Sequence, residues 1–215
     1  VDGWTHPFCN YDLSDFSNNF NLIEWGTFTI DLSKNKDDFY KNITKHSGRK
    51  NIERSIKKGV CVEEITEDTL YEYYQLKTST RIDSGQKTTN YEPMLKRWKK
   101  FKPLGFSGFL ARYDNKPVGG LLFSSFNDYI IEIGVARSKV DKIQNLYSQE
   151  LIKWKIIEWG LENKMKYYDL AGFNPHPISK KEEGITRFKK KWGGEANYYY
   201  RILDNVSYLQ KLTPK

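Results

Sequence analysis

Arg187, Lys189, Lys190 and Lys191 place four cations within five residues, in the run Gly184-Ile-Thr-Arg-Phe-Lys-Lys-Lys-Trp-Gly-Gly-Glu195. Ile185, Phe188 and Trp192 recur in the same run at i, i+3 and i+7, so a helix there packs one face and turns its charge outward. Gly193-Gly194 supplies the positive-φ stop that ends such a helix. Ahead of it stands Tyr168-Asp-Leu-Ala-Gly-Phe-Asn174, the end of a β-rich run, followed by a polar loop with two prolines. A cationic helix beside the end of a strand can hold an anionic substrate. The same residues also describe a solvated basic face on an ordinary surface helix.

The order and spacing of these two segments resemble the C-terminal signature of the Fem family of peptidoglycan-bridge aminoacyltransferases. The matching residues are Tyr168-Asp169-Leu170-Ala171-Gly172 and then Gly184-Ile-x-Arg187-Phe188-Lys189-x-x-x-Gly193-Gly194-Glu195. The resemblance implies an acetyltransferase-like (GNAT) α/β fold, a single domain with a mixed, mostly antiparallel sheet flanked by helices. It implies acyl transfer from an aminoacyl-tRNA to an amine of an anionic cell-wall precursor, such as a nucleotide- or lipid-linked muropeptide. No bound cofactor is expected, since the acyl donor is a co-substrate. Lys189 aligns with the family's Arg-Phe-Lys lysine and is expected to stabilise charge at the reacting centre. Asp169 either holds an amine or a lysine in place, or caps the loop or pairs with Arg187. Tyr168, Arg187 and Phe188 are expected on the substrate.

Two further segments carry chemistry. Between Lys41 and Lys58 lie Lys41, Lys45, Arg49, Lys50, Arg54, Lys57 and Lys58 against the single acid Glu53. That polarity attracts phosphates or is a solvated face, and Arg49 and Lys50 are the substrate-binding candidates. Asp-Leu-Ser33, a helix, then Arg49-x-x-Ile52-x-x-x-x-Lys57-x-Gly59-Val60 resembles the entry to the second half of Fem proteins. Arg81 and Tyr91 match the family's arginine and tyrosine ten positions apart across a substrate-facing loop. A guanidinium fork suits carboxylate or phosphate. The bland alternative is a loop arginine and a tyrosine that packs a helix.

Acetyltransferases that use coenzyme A hold its pyrophosphate on a glycine-rich turn. The corresponding turn here, Arg137-Ser-Lys-Val-Asp-Lys-Ile-Gln-Asn145, has no glycine, which disfavours acyl-CoA without excluding an acyl thioester donor acting on an amino sugar or another amine. No Ser-His-Asp order appears. Cys61 lies in an apolar run and reads as packing. Cys9 and Cys61 lack metal-ligand spacing with His6, His46 or His176, so neither a metal site nor a disulfide is expected. Two thiols fit a reducing cytoplasm.

The 215-residue chain that carries these residues is 29% charged and 15% aromatic, with net charge +8 and pI about 9.2. This favours an anionic partner. A non-catalytic nucleic-acid-binding module is the third reading, though no recognition motif supports it. The start Val1-Asp-Gly-Trp-Thr-His6 is not expected to be a signal peptide, and no apolar run of about 18 residues occurs in the sequence. Residues 1–26 read as an extended lead-in packed through Trp4, Phe8, Phe16, Phe20 and Trp25. Residues 27–203 form the domain and 204–215 a tail. Strands are expected at 27–32, 60–65, 108–113, 117–125, 129–136, 166–170 and 196–203. Helices are expected at about 36–58 (capped by Ser33, broken near Ser47-Gly48, packed through Ile52 and Ile56), 67–80, 91–100, 145–163 and 184–192. Arg81 falls in the loop after the second of them. Gly119-Gly120 marks close backbone approach or a bulge. The chain resembles only the second half of a two-half Fem protein, which implies either a fragment that lacks its N-terminal half or a single-domain relative that acts on another amine, such as an amino sugar.

Overall fold

The structure is a computed structural model that describes residues 2–9, 12–14 and 20–204. In chain order it contains β1 (Asp2–Trp4), β2 (Asn21–Asp31), α1 (Lys36–Asn42), a π-helical turn (Lys45–Arg49), α2 (Lys50–Lys57) and β3 (Cys61–Glu64). Then follow α3 (Glu67–Asp83), α4 (Tyr91–Phe101), a 3₁₀ turn (Lys102–Leu104), β4 (Phe106–Tyr113), β5 (Lys116–Phe126) and β6 (Tyr129–Arg137). The last elements are α5 (Lys139–Gln144), α6 (Ser148–Glu162), β7 (Tyr167–Phe173), α7 (Lys180–Lys190) and β8 (Glu195–Leu203). The chain falls into two compact units. Unit 1 takes the described parts of Val1–Thr29, Leu170–Lys190 and Gly194–Lys215, and unit 2 takes Ile30–Asp169 with Lys191–Gly193.

Unit 2 is built on hairpins. Asp114 and Asn115, both at positive φ, close β4–β5, and Asn127 at φ 53 helps close β5–β6. Asn and Asp tolerate this left-handed backbone better than other side chains, so the turns follow from local sequence. β3, β4, β5 and β6 are antiparallel neighbours, and β7 joins β6 in parallel through Tyr129↔Tyr167, Ile130↔Tyr168 and Ile131↔Asp169. The sheet is therefore mixed and mostly antiparallel, as expected. Side chains alternate between its faces. Phe106, Leu110 and Leu122 pack with Leu70, Tyr73 and Leu76 of α3 and Trp98 of α4. On the other face Phe123 meets Phe109 and Trp159 of α6. Leu151, Ile152, Ile156 and Ile157 of α6 are buried, which stabilises by roughly 1.5–3 kcal/mol each. Gly119-Gly120 does admit close approach: a Cβ on Gly119 would strike Ser148, and one on Gly120 would strike the Tyr73 ring.

Several local expectations are corrected. Asn35, not Ser33, caps α1, accepting from Asp38 N–H at 2.9 Å. Ser33 instead turns back on Asp31, which takes both its N–H and its hydroxyl. The 36–58 helix is interrupted earlier than Ser47-Gly48, because extended Ile43 sends Thr44 N–H to the Lys191 carbonyl at 2.9 Å. Ile56 is exposed, since α2 buries Asn51, Ile52 and Ser55 instead. Cys61 is exposed as well, on the strand that ends this sheet, so it does not pack. The 137–145 turn is largely helix α5, capped by Ser138, and left-handed Asn145 and Tyr147 separate it from α6. Thr66 caps α3 with a reciprocal bond to Thr69.

Unit 1 pairs β8 antiparallel with both β1 and β2. β2 starts at Asn21 rather than 27 because the nine-residue β8 offers partners from Leu203 back to Glu195. Phe28 stacks on Phe173 at 4.8 Å, and Arg201 forks onto Asp2 at 2.8 and 2.6 Å. Trp4 and Phe8 are partly exposed, yet the Trp4 ring packs against Tyr199 at 5.7 Å and beneath Arg201, and Phe8 meets the His6 ring edge to face at 5.7 Å; Phe16 lies outside the described residues. Helix α7 begins four residues earlier than expected, with Ser179 accepting from Glu182 N–H, and Ile185 is exposed rather than packed. Helix α7 ends at Lys190 rather than at 192; Gly193 takes φ 73 next to fully buried Trp192. Among the described residues no helix is long and apolar enough to cross a membrane.

Candidate active site

In unit 1 the two halves of the sequence signature meet. Lys189, in the last turn of α7 and half-buried, donates to the carbonyls of Ala171 at 2.7 Å and Gly172 at 2.6 Å. Ala171 sits at φ 60, a left-handed backbone uncommon for a residue with a Cβ. Its carbonyl also accepts the Thr27 hydroxyl at 2.9 Å. Two bonds to consecutive carbonyls fix both the end of β7 and the ammonium. A Cβ on Gly172 would approach Tyr199 and Trp25, so aromatic side chains flank this strand end. Arg187 is exposed and Phe188 half-buried on the same helix. The loop before α7 folds back onto Glu182, which accepts Ile178 N–H at 2.8 Å and the Asn174 amide at 3.2 Å.

Unit 2 holds a buried polar cluster. Glu132 of β6, inside an otherwise apolar strand, pairs with Lys153 of α6 and accepts the Tyr168 hydroxyl at 2.5 Å. Burial, reinforced by the Glu132 charge, pushes the Tyr168 phenol well above its ordinary range, so it remains a donor. Next to it, buried Asp169 accepts the Tyr129 hydroxyl. Further along α6, Glu150 pairs with Lys191 at 2.8 Å and accepts the Asn51 amide at 3.1 Å. Burial lowers the Lys191 pKa, with Lys153 and Arg137 adding to the effect and Glu150 opposing it. Arg137 pairs with Asp141, and Gln149 donates to the Ala136 carbonyl at 2.8 Å.

Helix α3 grips β6 from its own side. Tyr73 donates to the Gly134 carbonyl at 3.1 Å, Lys77 to that of Val135 at 3.3 Å, and Thr80 to that of Arg137 at 3.2 Å. At alternate positions along β6, Ile131, Ile133 and Val135 are exposed as an apolar stripe. Arg81 is not in a loop but in the last turn of α3, because the helix continues to Asp83. Its Nε donates to the Lys87 carbonyl at 2.6 Å, which ties down the 84–90 connection. Tyr91 opens α4 and packs against Tyr71 and Tyr74 at 5.0 and 5.2 Å between ring centroids. The two members of the expected Arg–Tyr pair thus engage different partners. Arg49 donates to the Ile43 carbonyl at 3.1 Å and lies over the Tyr40 ring, while Lys50 starts α2 half-buried.

Glu132, Glu150, Lys153 and Lys191 were not singled out as a cluster by sequence reasoning. A signal was available: Lys153 and Glu132 interrupt apolar runs where the pattern demands core, and a buried charge requires a partner. Among the described residues no group of three or more His, Cys, Asp or Glu side chains could hold a metal ion.

No family model matches the chain, and no curated protein matches it. Solved structures do. FemX superposes with a TM-score of 0.69 at 13% identity, over 86% of this chain and 63% of its own. The fold is Fem-like. The C-terminal domain of a putative lysylphosphatidylglycerol synthetase from Agrobacterium fabrum gives a TM-score of 0.65 at 13% identity, over 91% of this chain and 66% of its own. A GCN5-related glucosamine N-acetyltransferase region in a fungal multi-domain β-N-acetylglucosaminidase gives 0.54 at 11% identity, over 88% of this chain and 22% of that one. The chain spans just under two thirds of the FemX chain.

Proposed function

We propose that this chain is an acyltransferase that moves an aminoacyl group from an aminoacyl-tRNA to an amine of an anionic cell-wall precursor, a nucleotide- or lipid-linked muropeptide. The observation that carries the reading is Lys189 bonded to the Ala171 and Gly172 carbonyls, because it joins the two segments whose order and spacing resemble the Fem signature. The neutral amine attacks the ester carbonyl, a C–N bond forms, and the ester C–O bond breaks to return the ribose hydroxyl, which takes up the proton the amine gives away. Negative charge develops on the carbonyl oxygen in between, and a fixed cation stabilises it. Lys189 is that cation. Net charge +8 suits both an RNA donor and an anionic acceptor. A further half contributes to the acceptor site, and the reaction is cytoplasmic.

The test is transfer from charged tRNA to muropeptide acceptors. Lys189→Ala is expected to lower turnover by about 10²–10³-fold with a cooperative melt retained. Equal turnover in variant and parent removes Lys189 from the mechanism. A second reading, an acyl thioester donor, is favoured by the apolar stripe Ile131, Ile133 and Val135, which suits an extended acyl arm. Saturable binding of acetyl-CoA without preference for charged over uncharged tRNA would select it.

A further inference from the structure

One end of unit 2 combines exposed apolar side chains with a ring of cations. Trp98 and Phe106 are buried there and meet edge to face at 5.8 Å, which makes the frame rigid. Outside this frame Phe101 is 41% exposed, Leu104 64% and Phe126 76%. Ser125 donates its N–H to the Gly105 carbonyl at 2.8 Å, and Gly105 takes φ 93. Leu104 and Phe126 are the residues just beyond that bonded pair, so both stand at the same end of the hairpin. Around them, residues 91–104 hold Lys96, Arg97, Lys99, Lys100 and Lys102 against the single acid Glu92. Lys100 lies over the Phe101 ring at 5.6 Å and Lys102 over the Trp98 ring at 5.1 Å, while Lys99 pairs with Glu67. The acid in the neighbouring turn, Asp128, is paired with Lys166 at 2.7 Å.

We propose that this end docks on an anionic lipid bilayer. Phe101, Leu104 and Phe126 enter the boundary between headgroups and acyl chains, and Lys96, Lys100 and Lys102 meet the lipid phosphates. Apolar tips bounded by lysines whose stems can lie along apolar surface are the chemistry of an anionic interface. A second copy of this chain seated on the same face would bring like charges together, so charge complementarity favours the lipid. Docking of this kind is independent of which acyl donor the enzyme uses.

The full chain is sedimented with vesicles of phosphatidylcholine alone and of phosphatidylcholine mixed with phosphatidylglycerol. Binding is expected on the mixed vesicles only, weakening as salt rises. Leu104→Ser/Phe126→Ser and Lys96→Glu/Lys100→Glu should each lower the apparent lipid affinity about tenfold or more, with circular dichroism and melting unchanged because all four side chains are exposed. The proposal is overturned by absence of binding to the mixed vesicles, by equal binding to both vesicle types, or by variants that bind like the parent. A concentration-dependent dimer abolished by Leu104→Ser/Phe126→Ser would also overturn it, by assigning the face to a second copy.

Discussion

Glu150 and Lys153 of α6 and Glu132 of β6 are buried, while at one end of the same unit Phe101, Leu104 and Phe126 stand in water. Each region inverts the usual partition of charge and apolar surface, and the two are resolved differently. Inside, each carboxylate has a cation and a neutral donor: Lys153 and Tyr168 for Glu132, Lys191 and Asn51 for Glu150. The desolvation cost is offset by partners within the fold, so losing one member strands another. Outside, the rings lie over a packed frame that does not depend on them. Their removal leaves the fold as it is, which makes them informative about a partner and uninformative about stability.

That contrast can be broken by substitution. The largest effect is expected from Glu132→Leu, which leaves Lys153 buried beside a leucine and should cost about 3–5 kcal/mol in urea unfolding. Glu132→Leu/Lys153→Met should recover most of that loss, and a double variant as unstable as the single one would mean that packing, not charge, is what Glu132 supplies. Tyr168→Phe removes one buried hydrogen bond and should cost about 1–2 kcal/mol near neutral pH. It also has a pH signature. The folded phenol titrates above the ordinary 10.0, so its contribution is complete below pH 10 and is withdrawn as pH climbs from there toward the folded value. Stability of Tyr168→Phe should therefore fall less steeply above pH 10, with a residual slope from Tyr73, whose phenol is raised by burial as well. Identical alkaline limbs in variant and parent would show that Tyr168 does not set this slope. The smallest effect belongs to Leu104→Ser/Phe126→Ser, whose unfolding free energy should stay within about 0.5 kcal/mol of the parent. A larger loss would make the exposed rings part of the core after all.

Elements governed by local rules were legible in the sequence. Asp114-Asn115 and Asn127-Asp128 marked the hairpin turns, Thr66 marked a helix start, and the all-round apolar run after Ser148 marked a buried helix. The Lys189 segment and the Ala171-Gly172 strand end were legible as partners only through resemblance, since no local rule brings residues so far apart together. What escaped was set by tertiary context. Cys61 reads as core until β3 proves to be the last strand of its sheet. Ile56 has helical spacing with Ile52, yet α2 turns Ser55 inward instead. Arg81 looks like a loop residue because Asp83-Ser84-Gly85 ends the helix just after it. A lysine at the centre of an apolar helix carried the strongest unread signal, since its partner, Glu132, lies on another element.

The Asp2–Arg201 fork joins residues 199 positions apart, and β2 likewise pairs with β8. During synthesis at about 5–20 residues per second, β1 and β2 therefore precede their partner strand by roughly ten to forty seconds. Through that interval the edge of β2 that β8 will occupy is open, while the hairpins and helices of unit 2 already have nearly all of their residues. β8 is made well after the strand it pairs with, so the nascent chain carries an unpaired β2 edge while the hairpins and helices of unit 2 are being synthesised.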